Sequence, residues 1–118
     1  MKPKKYTYYV KQADKLFSEI VRKKTPYCEK CGTTEHLQTA HIFSRRNHAL
    51  RWNFHNVVVL CYKCHIHWAH IQPIEFAEFV KIKKGQGVYY SLLALNHKIV
   101  RHDKETVIQT IETLKQMK

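Results

Sequence analysis

Two pairs of cysteines, in Cys28-Glu29-Lys30-Cys31 and Cys61-Tyr62-Lys63-Cys64, carry the plainest chemistry in this chain. Thiolates three residues apart can both reach one tetrahedral ion while the backbone amides between them turn toward the sulfurs. Gly32 directly follows the first pair and permits the left-handed turn that such a knuckle uses. The 29 residues between the pairs exceed the spacing of a short zinc ribbon, so a substantial element must be inserted there. Two disulfides are the rival reading, and the N-terminal Met1-Lys2-Pro3-Lys4-Lys5 has no secretory signal to favour them. A dithiol redox pair fits less well, because the motif occurs twice and no βαβ pattern surrounds it. The expectation is a structural zinc ion on Cys28, Cys31, Cys61 and Cys64. Four thiolates and one divalent cation would move the formal charge from +12 to about +10.

The segment between the knuckles predicts two strands. Residues 37–43 alternate with β-forming side chains, which places Leu37, Thr39, His41 and Phe43 on one face. A polar and basic loop follows over 44–55, and the apolar run 57–60 then predicts a buried second strand that ends on the second knuckle. A short helix is expected from Cys64 to about Gln72, before Pro73. Strand, basic loop, strand and helix make too small a core to stand alone, which is a physical reason for a metal staple.

Taken together, Cys28-x-x-Cys31, Ala40-His41-Ile42 and Asn56-x4-Cys61-x-x-Cys64-His65 resemble the HNH endonucleases. The resemblance runs from about Cys28 to His70, over a third of the chain, and includes the nine-residue interval from Asn56 to His65. Ser44-Arg45-Arg46 and Leu50-Arg51-Trp52 are similar to loop segments of small, often phage-encoded, members. It implies an α+β fold whose ββα-metal core, a hairpin plus helix, is stapled by the four-cysteine zinc site and flanked by N- and C-terminal helices. It also implies a divalent-metal-dependent endonuclease that nicks DNA by hydrolysing phosphodiester bonds, and the few glycines and absence of a base-reading motif point to weak sequence preference. By resemblance His41 would be the general base, Asn56 would brace the base and its loop, and His65 would hold the catalytic metal ion.

The residue types suit that chemistry. Phosphodiester hydrolysis needs an activated water, charge stabilisation on the phosphoryl oxygens and help for the leaving oxygen. A neutral imidazole can take a proton from water near neutral pH. Arg45, Arg46 and Arg51 would bind DNA phosphates, although Arg51 can instead cap a carbonyl or stack on Trp52.

Two positions depart from the family pattern. Many members carry a metal ligand immediately before the base histidine, where this chain has Ala40, and the position four after His65 is Ala69. At α-helical spacing His67 and His70 lie about 200° and 140° around from His65. His36 would have to turn back to reach the site, and His70 is the first candidate for the second ligand. An all-histidine set favours Mn2+, Ni2+, Co2+ or Zn2+, whereas Mg2+ keeps waters and tolerates few protein ligands. Ala40 also supports a second reading, a non-catalytic zinc-finger DNA-binding or adaptor protein on the same scaffold.

The elements that would position these residues read as one domain of 118 residues, divided into 1–25, 26–72 and 73–118. Lysine and arginine number 21 against 9 acidic residues, an excess most simply tolerated beside a polyanion, with DNA the first choice. No apolar run approaches the length of a membrane span, so a cytoplasmic protein is expected, in the host cytoplasm if phage-encoded. Phage packaging or recombination proteins are possible partners, and a monomer or weak dimer is the expected state. Val10, Ala13, Leu16, Phe17, Ile20 and Val21 predict an amphipathic helix halted before Pro26, preceded by a basic arm at Lys2-Pro3-Lys4-Lys5. Downstream, Pro73 opens one helix and Tyr89 to Leu95 a second. Asp103 caps a third, whose Val107, Ile108, Ile111 and Leu114 cover the core or form a dimer surface.

Overall fold

A computed structural model describes residues 4–118, so Lys2 and Pro3 of the expected basic arm lie outside the described residues. The first helix, α1, spans Tyr6–Lys24 and buries Ala13, Phe17 and Val21, one side chain per turn. It stops where Pro26 restricts the residue before it, with Arg22, Lys23 and Lys24 in the last turn opposite the carbonyl end of the helix dipole.

Strand β1, Leu37–His41, pairs antiparallel with β2, Val57–Cys61, so that His41 stands opposite Val57 and Leu37 opposite Cys61. β1 is two residues shorter than its β-forming pattern suggests. Beyond His41 the chain is diverted onto Asn56, whose carbonyl accepts from Ile42 N at 2.8 Å and whose Oδ1 accepts from Phe43 N at 3.0 Å. Phe43 therefore leaves the face of Thr39 and His41 and packs on Tyr89.

All five residues of β2 are buried. Val57 and Val59 pack with Ala13, Phe17 and Val21 of α1, while Val58 and Leu60 pack on the opposite face with Ala40 and three cysteines. The outer edge of β2 is covered too: Glu29 N donates to Val59 O at 2.8 Å, and the Glu29 carboxylate accepts from Val59 N at 2.7 Å. A strand enclosed on both faces and its edge reads as an unbroken apolar run.

The basic loop contains structure that its composition conceals. Asn47 caps a four-residue helix, α2, His48–Arg51, and a 3-10 turn at Phe54–Asn56 leads into β2. The buried Asn47 amide also donates to Leu95 O and Lys98 O and accepts from Val100 N, which ties this loop to the C-terminal third.

After β2 comes a short turn of helix, α3, Tyr62–Cys64, which widens into a π turn at His65–Ala69. Helices α4, Pro73–Lys84, and α5, Gln86–Asn96, form a hairpin through Gly85, whose φ of 92° suits glycine. Helix α6, Lys104–Met117, starts at Asp103, whose carboxylate accepts from Thr106 N at 2.8 Å. Its Val107, Ile111 and Leu114 join the core that α1 and β2 form, so those side chains cover the core, while Ile108 is half-buried. The result is a compact α+β fold with a two-stranded sheet. No helix among the described residues is long and apolar enough to cross a membrane.

Candidate active site and metal centre

Two turns bring the four thiols together. Gly32, at φ 84°, closes the first, and Gly32 N donates to Cys28 O at 2.8 Å. Cys31 N points at Cys28 Sγ at 3.4 Å, and Cys64 N points at Cys61 Sγ at 3.5 Å, the same contact in each knuckle. All four sulfurs lie within 4.8 Å of one another. Cys31 and Cys61 stand 3.7 Å apart, far beyond a covalent S–S bond, so the disulfide reading does not hold for this arrangement. Burial disfavours a charged Cys28, but the amides of Cys31, Cys61 and Lys30 outweigh it and draw its pKa down to about 6. Burial pushes Cys64 in the other direction, reinforced by the three neighbouring thiols. Four clustered sulfurs thus resist carrying four charges by themselves, and a cation among them removes that conflict. The cluster can hold a metal ion.

On the other side of the hairpin His41 lies beneath α1, its ring 6.2 Å from that of Phe17. Its Nε2 is 2.9 Å from the carbonyl oxygen of Arg51. A carbonyl only accepts, so Nε2 carries the proton, and in the neutral ring Nδ1 keeps its lone pair. Burial holds the ring below the usual imidazole range, against the pull of the Arg51 carbonyl, with the charge of Arg45 adding to the burial effect. His41 is therefore neutral at pH 7 with its tautomer set.

That carbonyl is itself held. Asn56 is fully buried; its Nδ2 donates to Leu50 O at 3.0 Å and to Phe43 O at 3.1 Å, while its Oδ1 accepts from Phe43 N. It closes both ends of the loop that carries Arg51. Asp14 of α1 grips the same loop from outside, accepting from Arg51 Nε at 2.9 Å, Arg51 Nη2 at 2.6 Å and Trp52 Nε1 at 3.0 Å. Asp14 was invisible in the sequence, where it is one acid on a basic helix.

His65 lies across the opposite face of the hairpin. Its Nδ1 is 2.7 Å from Gln38 Oε1, which accepts the proton and leaves Nε2 as the lone-pair nitrogen. Burial, and then His70 and His41, hold its pKa below the usual value. Gln38 is a second residue that sequence reasoning missed; its position two before Ala40, on the same strand face, was the available signal.

The expected separation of His65 and His70 is overturned. The π turn is closed by His70 N donating to His65 O at 3.1 Å, an i to i+5 bond that brings residue i+5 back above residue i. The two rings consequently meet at 4.6 Å between centroids. His67 instead packs on Tyr62, and His36 lies outside this cleft. His41, His65 and His70 line one cleft of about 260 Å3, with Ala40 and Ala69 in its wall. Among the described residues, only the four cysteines bring three or more ligand atoms within 4.8 Å of one another. Of the arginines, Arg45 and Arg46 are exposed, whereas the guanidinium of Arg51 is committed to Asp14 and lies over the Trp52 ring.

Comparison of the chain with protein-family models, curated proteins and solved structures finds no match.

Proposed function

We propose that this protein is a zinc-stapled, divalent-metal-dependent endonuclease of the HNH type that hydrolyses DNA phosphodiester bonds. The observation that carries the reading is a neutral, tautomer-locked histidine sharing a cleft with a histidine pair. His41 Nδ1 would take the proton of the attacking water, and the Arg51 carbonyl would steady the imidazolium that forms. Asn56 and Asp14 keep that carbonyl in place from inside and outside the loop.

His65 Nε2 and His70 would hold the catalytic ion, a role supported by the meeting of their rings and by Gln38 orienting His65. That ion would supply Lewis-acid stabilisation to the phosphoryl oxygens. The π turn lends His70 the proximity that Ala69 cannot use, and two imidazoles favour Mn2+, Ni2+ or Zn2+ over Mg2+. Arg45 and Arg46 would grip the DNA backbone. In the cysteine cluster, sulfur-only donors suit zinc. A tetrahedron with bonds of about 2.3 Å has edges of about 3.8 Å, and Cys31 and Cys61 stand 3.7 Å apart.

Ala40 supports the second reading, a zinc-stapled DNA-binding module without catalysis, because an aliphatic side chain sits where a ligand could. Supercoiled plasmid with Mg2+, Mn2+, Ni2+ or Zn2+, beside a His41→Ala control, separates the two. Metal-dependent nicking that the substitution abolishes supports the nuclease. Zinc-replete protein that binds the plasmid but leaves it intact with every metal identifies the binding module.

A further inference from the structure

A second cleft, of about 450 Å3, lies between the first turns of α1, the loop leading into α2 and the segment before α6. It shares no lining residue with the histidine cleft. Lys11, Arg46 and Arg101 line it, all three exposed, together with Arg51, and no carboxylate among the described residues does. The charge of Arg51 is already answered by Asp14, so the other three cations give the cleft its character.

Its one buried polar side chain is His48, and that group is also set as a donor. His48 Nδ1 accepts from His102 N at 3.0 Å, which leaves the proton of the neutral ring on Nε2. Burial keeps the ring neutral, and the charges of Arg51, His102 and Arg101 act in the same direction. The wall is firm, since Tyr6 Oη donates to His102 O at 2.7 Å and His48 N donates to Val100 O at 2.8 Å. Three cations that form no ion pair among the described residues share this lining with a neutral imidazole and with no carboxylate, which suits a phosphate oxygen rather than a cation.

We infer that this cleft is a second phosphate-binding site, which takes a backbone phosphate of bound DNA away from the bond to be cut. Long exposed cations around an open cleft suit a chain of phosphodiesters, held by charge and indifferent to base identity. Arg51 joins the two sites: its carbonyl holds His41 and its side chain borders this cleft. The inference takes from the nuclease reading only that the polyanion is DNA, and it is tested by binding alone.

Zinc-loaded protein carrying His41→Ala would be titrated with a labelled DNA duplex over a range of salt, with no other divalent ion present. On that background Lys11→Ala with Arg101→Ala should weaken binding about tenfold or more and lower the salt slope by about two. Lys23→Ala with Lys24→Ala removes the same charge from the far end of α1 and should change affinity less than about twofold. In parallel, the His48 Nε2–H resonance should shift when DNA is added and not when inorganic phosphate is added at the same phosphate concentration. Equal losses in the two double variants would reduce the cleft to general surface charge and overturn the inference. So would unchanged affinity in the first variant, or saturation of the His48 shift by inorganic phosphate with DNA binding unaffected. Failure of the nuclease reading would show in the plasmid assay and leave these binding results as they are.

Discussion

The two faces of the hairpin are held by different physics. Toward α1 and α6, Val57 and Val59 meet a layer of Phe17, Val107, Ile111 and Leu114, a core held by apolar burial. Toward the cysteines, Val58 and Leu60 meet Ala40, Ala69 and thiols, a smaller set of side chains around a cluster whose charges conflict without a cation. Two adjacent residues of one strand thus belong to two stability regimes. The histidine cleft lies where they meet: His41 hangs on the apolar side through Phe17 and Arg51, and His65 on the metal side through Gln38.

The largest expected effect is metal removal. Structural zinc contributes on the order of 10 kcal/mol to small domains, so chelation, or Cys28→Ser or Cys61→Ser, should abolish cooperative unfolding. A calorimetric melt that remained single and sharp in the metal-free protein would show that the apolar face suffices. Next comes Phe17→Ala, on the opposite face, which should cost about 3–5 kcal/mol. Denaturant titration reads the loss, and metal binding by the cysteine cluster should be unchanged if the two faces are independent.

Asn56→Ala strikes the junction. It strands the carbonyls of Leu50 and Phe43 inside the protein and should cost about 2–3 kcal/mol. On the proposed nuclease reading it should also lower nicking further than the stability loss explains, because the Arg51 carbonyl is no longer fixed against His41; nicking equal to that of the unsubstituted protein at low temperature would contradict that role.

The smallest effect is with pH. His48 is held neutral by burial and by nearby cations when folded, while in the unfolded chain it takes a proton near pH 6.5. Below about pH 6.5 the unfolded state binds more protons, so stability falls as pH falls. His41 acts in the same direction. Melting temperature should therefore drop between pH 7.5 and 5.5, and His48→Gln should flatten part of that slope.

How much of this was legible follows from the range of each interaction. The knuckles, the buried run of β2, the amphipathic α1 and the Asp103 cap are signals between chain neighbours, and the structure matches them. The helix α2 was hidden because its four residues are too few for periodicity, and its cap residue Asn47 draws support from Leu95, Lys98 and Val100. The π turn was hidden because no residue type marks the place where the chain widens, and regular α-helical spacing keeps His65 and His70 apart.

The sequence by itself therefore determined which side chains could bind metal, which strand is buried and where α4 and α6 begin, because these depend on residue type and on spacing of a few residues. Only the tertiary structure decided that Asp14 reaches Arg51 across 37 positions, that Arg51 offers its carbonyl to His41, and that Arg46 and Arg101 line one cleft. A hydrogen bond or a shared potential acts over a few ångströms of space, and no local pattern records which distant residues folding brings within that reach.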